Sequence, residues 1–394
     1  MNSFIFFIFI IILLIVLLLS LFLLPTRNQD VIWVAVGNDD LEDITKKNVL
    51  YSKDGINWNP ATMKNNSINP FWNGDGSGVA YNGVDRWVAV GEDFNFLTSS
   101  IVYSSDGIEW EPATLTTGAS PFGHSGLYPR GRGVAYGNGK WVGVGHDGSS
   151  GGDSDSSSIL YSTDGALWSS AAMASSGLSP FYEGRGVAYN GSDKWVAVGN
   201  DDNITSTILW SSDGESWNTA CMSDGTSTFP TAGYGIAYNG SDKWVAVGDD
   251  NSGSSKILWS SDGELWNTAC MSDGTSAFGS GAGSGRGVAY NGSRWVAVGE
   301  DVGTSTSNIL WSSNGETWDT SSMESGGTPF GTSVNSMGSG VAYGKNKWIS
   351  VGFDTATSTK NILWSFDGIN WNNTNGTNFG LGGLGIAYKS LLPN

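Results

Sequence analysis

A five-residue segment, W-V-A-V-G or a close variant, returns at intervals of about fifty residues from residue 31 onward. Its tryptophan occupies seven positions with spacings of 54, 54, 54, 49, 51 and 53 residues: Trp33, Trp87, Trp141, Trp195, Trp244, Trp295 and Trp348. A repeat of this length is one supersecondary unit, which buries its apolar face by stacking against its neighbours. The chain therefore grows by repetition, and its length does not imply several unrelated domains.

Each repeat contains four short β-type segments in a fixed order: W-V-A-V-G, I-L-W/Y-S, the end of a D-G-x-x-W turn, and G-x-G-V/I-A-Y. The first repeat begins with W-V-A-V-G, and a spare copy of the fourth segment, Gly385 to Tyr388, lies near the C-terminus. Pairing of this spare segment with the first one would close a ring without a long exposed edge. The sequence therefore predicts an all-β, seven-bladed β-propeller with four antiparallel strands per blade, in which the C-terminal strand closes the first blade.

The turn motif is S-x-D-G-x-x-W, as in Ser211 to Trp217. Its aspartate can accept backbone amide bonds across the turn, while its glycine adopts a positive φ. The motif resembles the Asp-box (BNR) repeat of sialidase-like propellers over residues 31–389, although one residue between aspartate and glycine is missing and Asn314 replaces the sixth aspartate. In that family the box is a fold element, so the resemblance implies a propeller and not glycosidase activity. The structural aspartates it implies are Asp54, Asp106, Asp164, Asp213, Asp262 and Asp367.

An apolar run, residues 4–24, precedes the repeats and is broken only by Ser20. At about 1.5 Å per residue, a helix of this length spans the roughly 30 Å hydrocarbon core of a bilayer. No lysine or arginine precedes the run and no small-x-small cleavage site follows it, which favours an uncleaved anchor over a signal peptide. We therefore predict a single-pass membrane protein with an N-terminal transmembrane helix and its flank in residues 1–27 and a propeller in residues 28–394. The side of the membrane that carries the propeller stays open.

The net charge of −18 comes from 37 acidic and 19 basic side chains. Nucleic-acid binding depends on lysine and arginine neutralising phosphates, so a nucleic-acid partner is not expected. The predicted partners are the membrane, through residues 4–24, and a glycan or protein ligand.

If G-V-A-Y is the innermost strand, as the Asp-box resemblance implies, the loops that enter it and those that follow W-V-A-V-G share one face of the predicted propeller. Because these loops vary in length, this face is the candidate binding face. Two sets of residues line it: the residue between the glycines of G-x-G, and an aspartate two residues after W-V-A-V-G. The first set is Ser77, Arg132, Arg185, Tyr234, Arg286, Ser339 and Leu384, and the second is Asp39, Asp93, Asp147, Asp201, Asp250, Asp301 and Asp354.

Two interpretations of the arginines stay open. Arg132, Arg185 and Arg286 can each pair locally with the aspartate of the same repeat, at positions 147, 201 and 301. Alternatively, the three guanidinium groups converge at the mouth of the channel and hold a carboxylate, sulfate or other anion by forked hydrogen bonds. Sialidases use an arginine cluster in this second way, which is a loose similarity.

The third repeat departs most from the pattern. Both histidines of the chain, His124 and His146, fall in its binding-face loops, as does the acidic run of Asp147, Asp153 and Asp155. A flexible Gly-Ser loop is the simpler interpretation, and a divalent-cation site is the sharper one. No other cofactor is predicted. The candidate ligand-binding residues are Arg132, Arg185, Tyr234, Arg286, His124 and His146.

Catalytic signatures are missing from the sequence: it contains no H-E-x-x-H, Walker A or paired C-x-x-C motif, no F/Y-R-I-P signature, and no convincing Tyr, Glu and Asp set for glycoside cleavage. The leading hypothesis is a non-catalytic, membrane-anchored propeller for recognition or display that binds a glycan or protein. The arrays of W-V-A-V-G and S-x-D-G-x-x-W segments resemble those of bacterial, phage and large-DNA-virus proteins. The alternatives are a sialidase-like glycan-processing enzyme that uses the arginine cluster and a structural assembly subunit.

Overall fold

The computed structural model describes residues 33–38, 47–65, 70–71, 74–92, 99–122, 130–146, 157–177, 179–200, 206–249, 256–279, 283–301, 307–331, 336–354, 361–376, 379 and 381–388. All of them belong to one unit, Val31–Asn394. These residues form strands and turns and contain no helix, so none that could cross a membrane. The predicted anchor, residues 4–24, lies outside the described residues.

The strands are short and follow the repeat. In chain order they are β1 (Trp33–Asn38), β2 (Val49–Ser52), β3 (Asn57–Pro60), β4 (Thr62–Met63), β5 (Gly76–Tyr81), β6 (Trp87–Gly91), β7 (Ile101–Ser104), β8 (Glu109–Pro112), β9 (Thr114–Leu115), β10 (Arg130–Gly137), β11 (Lys140–His146), β12 (Ile159–Ser162), β13 (Leu167–Ser170), β14 (Ala172–Met173), β15 (Glu183–Tyr189), β16 (Trp195–Asn200), β17 (Ile208–Ser211) and β18 (Ser216–Thr219). They continue with β19 (Cys221–Met222), β20 (Ala232–Tyr238), β21 (Trp244–Asp249), β22 (Ile257–Ser260), β23 (Leu265–Thr268), β24 (Cys270–Met271), β25 (Ser284–Tyr290), β26 (Trp295–Glu300), β27 (Ile309–Ser312), β28 (Thr317–Thr320), β29 (Ser322–Met323), β30 (Met337–Gly344), β31 (Lys347–Phe353), β32 (Ile362–Ser365), β33 (Asn370–Asn373), β34 (Asn375–Gly376) and β35 (Gly382–Tyr388).

The four predicted segments of each repeat form an antiparallel meander. In the fourth repeat, β15 pairs with β16, β16 with β17, and β17 with β18. Tyr189 lies opposite Trp195, and Trp195 lies opposite Ser211. The aromatic end of the innermost strand therefore lies at the same end of the sheet as the start of the S-x-D-G-x-x-W motif, which is called the Asp-box here as a label for this turn only. The described strands make five sheets of five strands and one of ten, which joins two repeats through a bridge between Asp249 and Ser284.

A fifth, short parallel strand accompanies the four predicted antiparallel strands in each repeat's sheet, and the sequence did not predict it. The segment β14, Ala172–Met173, leaves the third repeat and pairs in parallel with β18 of the fourth. The Ala172 amide donates to the Glu215 carbonyl at 3.0 Å, and the Ala174 amide donates to the Trp217 carbonyl at 2.9 Å. Two residues are too short for a visible alternation of apolar and polar side chains, so the sequence pattern gave no sign of this strand.

Both edges of the first sheet come from the C-terminal part of the chain. The strand order is β34-β3-β2-β1-β35, with Trp33 opposite Tyr388 and Val36 opposite Gly385. The predicted pairing of the C-terminal segment with the first segment is therefore present. The short β34 adds a parallel contact to the outer strand β3.

The core lies between neighbouring sheets. One buried cluster combines Val196 and Val198 of the fourth repeat with Ala246 and Trp266 of the fifth. Another combines residues of the last and first repeats, including Trp33, Ala35, Ile349 and Val351. Because each cluster is shared by two repeats, the sheets stabilise one another all the way round the ring.

Glycines let the innermost strands approach each other closely. The second glycine of each G-x-G segment packs against the next repeat, as Gly133 does against the Arg185 carbonyl oxygen. A Cβ atom on any of these seven glycines would lie only 2.6 to 2.9 Å from the corresponding oxygen. The series ends with Gly385 against the Ser77 carbonyl, which returns it to its start. The strands enclose a cavity of about 160 Å³ lined by the second glycine and the following valine or isoleucine of each G-x-G-V/I-A-Y segment. Sheets arranged around such a central channel make a β-propeller.

Candidate functional site at the mouth of the channel

A β-bulge lies in each innermost strand between the two glycines of G-x-G. In β15, Gly184 pairs with Gly199 and Gly186 pairs with Val198, which leaves Arg185 without a partner position on β16. Bulges of this kind redirect a side chain and are common next to functional sites. We call the residues at these positions the bulge ring: Ser77, Arg132, Arg185, Tyr234, Arg286, Ser339 and Leu384. Each one directly precedes a glycine that lines the cavity, so the ring surrounds one end of the channel.

Two nearly buried glutamates neutralise part of this ring. Glu183 lies between two arginines, with its Oε1 atom 2.8 Å from Arg132 Nε and its Oε2 atom 2.6 Å from Arg185 Nη2. Glu92 Oε1 lies 3.3 Å from Arg132 Nη1 and 3.4 Å from Arg130 Nη1. Burial raises the pKa of the Glu183 carboxyl, but Arg185 and Arg132 outweigh this effect, and the pKa is lowered overall. Glu183 is therefore an ionised partner of both arginines near neutral pH.

Two arginines stack on one tyrosine. The guanidinium carbons of Arg185 and Arg286 lie 4.7 and 4.1 Å from the centre of the Tyr234 ring, within the range of cation–π attraction. The Nε atoms of both arginines are buried without a hydrogen-bond partner, and Arg286 forms no ion pair with any acidic residue in the described part of the chain. Burial lowers the pKa of the Arg185 guanidinium, although Glu183 opposes this effect. Arg185, Tyr234 and Arg286 are called the arginine–tyrosine cluster below.

The described contacts of the arginines differ from both predicted arrangements, and no ion pair joins Arg286 to Asp301. Arg132 and Arg185 pair with Glu183, which the sequence analysis did not single out, and Asp147 and Asp201 lie outside the described residues. Asp301 accepts a hydrogen bond from the Ser307 amide, as a loop-capping aspartate does. Arg185 and Arg286 are brought close together because both stack on the Tyr234 ring.

The histidine and metal predictions concern the third repeat. The His146 ring packs edge-on against Tyr182, with ring centres 4.8 Å apart, at the same end of the sheet as the bulge ring. His124, Asp147, Asp153 and Asp155 lie outside the described residues. The described ranges contain no group of three or more histidine, cysteine, aspartate or glutamate side chains that could hold a metal ion. The divalent-cation site therefore stays a prediction.

The Asp-box residues make turn contacts. Asp213 Oδ1 accepts hydrogen bonds from the Glu215 and Ser216 amides, both at 2.8 Å. The aspartates at positions 54, 106, 164, 262 and 367 make the same pair of bonds. At Asp54, partial burial raises the pKa, but hydrogen bonds from the Asn57 and Ile56 amides outweigh it and lower the pKa to about 2. Lys140, which directly follows the hairpin between β10 and β11, donates from its Nζ atom to the Asp213 carbonyl at 2.7 Å. The boxes therefore lie at the same end of the sheets as these hairpins.

No protein-family model and no curated protein matches the sequence. Among solved structures, the fold is similar to YCF48 from Cyanidioschyzon merolae, with 14% sequence identity, a TM-score of 0.47, and coverage of 86% of this chain and 95% of that one. It is also similar to a gluconolactonase candidate, with 11% identity, a TM-score of 0.37, and coverage of 71% and 87%. A third similar structure is the extracellular domain of a hybrid two-component system from B. thetaiotaomicron, with 7% identity, a TM-score of 0.40, and coverage of 77% and 37%.

Proposed function

We propose that this chain is a seven-bladed propeller of the Asp-box type, anchored in a membrane by residues 4–24, which recognises an anionic ligand at the mouth of its channel. The seven bulge-ring positions and the return of the glycine contacts to Ser77 support the blade number. The Asp-box hydrogen bonds at positions such as Asp213 support the assignment of the repeat type. The apolar run of residues 4–24 supports the anchor.

The observation that carries the proposal is the guanidinium group of Arg286. It lies at the mouth of a channel in a protein with a net charge of −18, yet it has no acidic partner among the described residues. Stacking on Tyr234 holds the group in place before a ligand arrives, which reduces the entropy lost on binding. An arginine fork with unused donors suits a carboxylate, sulfate or phosphate group.

Recognition fits these residues better than glycoside cleavage does. A glycosidase needs a protonated carboxyl group to donate to the leaving oxygen, and a raised pKa keeps such a group protonated. The pKa of Glu183 is lowered, and both its oxygens face arginines. Glu183 is therefore suited to holding Arg132 and Arg185 in position and not to proton donation.

The test uses the full chain in lipid nanodiscs on arrays that carry acidic and neutral glycans and peptides. We expect acidic ligands to bind and Arg286→Gln to weaken them by about tenfold, the loss of roughly 1.4 kcal/mol of a charge-assisted contact. Lys345→Gln removes one positive charge from an exposed position at the opposite end of the sheets and is the matched control. The proposal would be contradicted if no acidic ligand bound, or if the Arg286→Gln variant bound acidic ligands as tightly as wild type does. Turnover of a fluorogenic sialoside that disappears in Arg286→Gln would point to the enzymatic alternative.

A further inference from the structure

Apolar residues form a second chemical surface at the mouth of the channel. This surface, called the apolar arc here, consists of Met337, Phe353, Leu381 and Leu384. Met337 and Phe353 face each other across β30 and β31. Leu384 belongs to the bulge ring, and 43% of the Leu381 surface is exposed.

Glycine brings these residues together. A Cβ on Gly382 would collide with the ring of Phe353, so this position in β35 has to be glycine for the Phe353 ring to lie over the strand. The Leu381 amide donates to the Asn38 carbonyl at 3.2 Å, which fixes the start of the same strand. The apolar arc is therefore built on paired strands, and its position is set by the fold.

The apolar arc and the arginine–tyrosine cluster belong to one ring. Gly287, which directly follows Arg286, packs on the Ser339 carbonyl. In the next repeat, Gly340 packs on the Leu384 carbonyl. Leu384 is therefore separated from Arg286 by Ser339 alone in the bulge ring. A ligand whose anionic group reaches Arg286 has the apolar arc within its reach.

We infer that the ligand is a protein segment in which an acidic side chain lies near a leucine, a phenylalanine or another large apolar side chain. This inference rests on the proposed anion recognition and names the ligand class. The side chains of Phe353, Leu381 and Leu384 have no hydrogen-bond donor or acceptor, and the Met337 sulfur is only a weak acceptor. Sugar hydroxyls placed against them would lose their bonds to water without replacement. An apolar side chain would instead gain from removing both surfaces from water, while the acidic group satisfies the guanidinium charge.

The experiment uses the full chain in nanodiscs and an array of acetylated hexapeptide amides. Each peptide carries Asp, Glu, Asn or Gln at one position and Leu, Phe or Ser at a second position one to four residues away. Carboxylated and sulfated oligosaccharides are printed on the same array. We expect peptides with an acidic and an apolar residue to bind about tenfold more tightly than those with an acidic residue and serine, a difference expected from burying one large apolar side chain.

Two variants assign this preference to the apolar arc. Leu384→Ser is expected to abolish the preference for Leu or Phe while leaving the acidic peptides with serine unaffected. Leu381→Ser is expected to act in the same direction, and because Leu381 is exposed it keeps the test valid if the Leu384 variant fails to fold. Leu265→Ser is the matched control, since Leu265 is a 49% exposed leucine beside an Asp-box.

Equal binding of the apolar and serine peptides, or equal effects of Leu265→Ser and Leu384→Ser, would overturn the inference. Binding of the acidic oligosaccharides alone would overturn it as well and would leave anion recognition standing. Failure of the proposed function gives a different pattern, in which no acidic probe binds and Arg286→Gln changes nothing.

Discussion

Asn314 shows which part of the Asp-box side chain the fold uses. Its Oδ1 atom accepts hydrogen bonds from the Glu316 and Thr317 amides, both at 2.9 Å, as the aspartate oxygen does in the other boxes. The Ser312 hydroxyl donates to the same oxygen at 3.1 Å. An amide oxygen therefore completes the turn, and the negative charge of aspartate adds electrostatic strength to bonds that exist without it.

This difference predicts a pH effect at Asp54. Because the folded-state pKa is lowered from 3.8 to about 2, the charge contributes stability that is fully present above about pH 4 and is lost as the pH falls to about 2. The contribution is about 1 kcal/mol or less, since the exposed side chain is screened by solvent. The free energy of unfolding in urea of wild type and of Asp54→Asn should therefore converge between pH 4 and pH 2.

The reciprocal variant, Asn314→Asp, should be more stable than wild type at about pH 4 and should lose this advantage as the pH falls to about 2. A constant difference between Asp54→Asn and wild type down to pH 2 would contradict the proposed role of the charge.

At the scale of the strand pair, a lysine or arginine directly before six of the seven W-V-A-V-G segments connects one repeat to the next. Lys194 Nζ lies 4.8 Å from the centre of the Trp210 ring in its own repeat and donates to the Asp262 carbonyl of the next Asp-box at 2.9 Å. It also pairs with Glu264. Equivalent bonds to the next Asp-box are made by Arg86, Lys140, Lys243, Arg294 and Lys347, the last of which reaches the Asp54 carbonyl of the first repeat at 3.2 Å. In the first repeat this position is Ile32, which lies outside the described residues.

Lys194→Met is expected to keep an aliphatic chain over Trp210 and to lose both polar contacts with the next repeat. We expect the free energy of unfolding to fall by roughly 0.5–1.5 kcal/mol, the usual net value of an intramolecular hydrogen bond, because the solvent-exposed ion pair with Glu264 adds little. Chemical denaturation measures the change. Lys345→Met, at an exposed lysine, is the control and should have little effect. If both variants lose the same stability, the cation does not join the repeats.

At the scale of the whole molecule, the C-terminal strands hold the ring closed. The strands β34 and β35 supply both edges of the first sheet, and the last repeat shares a buried cluster with Trp33 and Ala35. Without these strands, β1 and β3 would each expose a row of unpaired backbone groups. Closure therefore removes the edges on which such a chain would aggregate.

Truncation after Thr374 removes β34 and β35 and should prevent formation of a stable monomer. Size-exclusion chromatography and thermal unfolding of the full chain and the truncated chain test this expectation. Truncation after Tyr388 is the matched control, because it leaves both strands in place. A monomer truncated after Thr374 that unfolds at the wild-type temperature would show that closure is not needed.

The sequence predicted the propeller and the composition of the bulge ring, because the G-x-G and W-V-A-V-G segments recur in a fixed order. It did not predict Glu183 as the partner of Arg132, since that contact joins innermost strands of neighbouring repeats, 51 residues apart. Spacing along the chain indicates which residues share a sheet, whereas packing between sheets decides which side chains meet. A glutamate directly before a G-R-G segment, as at position 183, was the available signal.

Anomalous scattering from crystals of the full chain soaked in selenate, an oxyanion of the sulfate type, tests most directly whether the arginine–tyrosine cluster binds anions. We expect a selenium peak within hydrogen-bonding distance of the Arg286 guanidinium group, close to Arg185 and Tyr234, and we expect this peak to be lost in Arg286→Gln crystals. Peaks confined to other arginines or lysines, or an Arg286 guanidinium group paired with an acidic side chain of the chain itself, would contradict it.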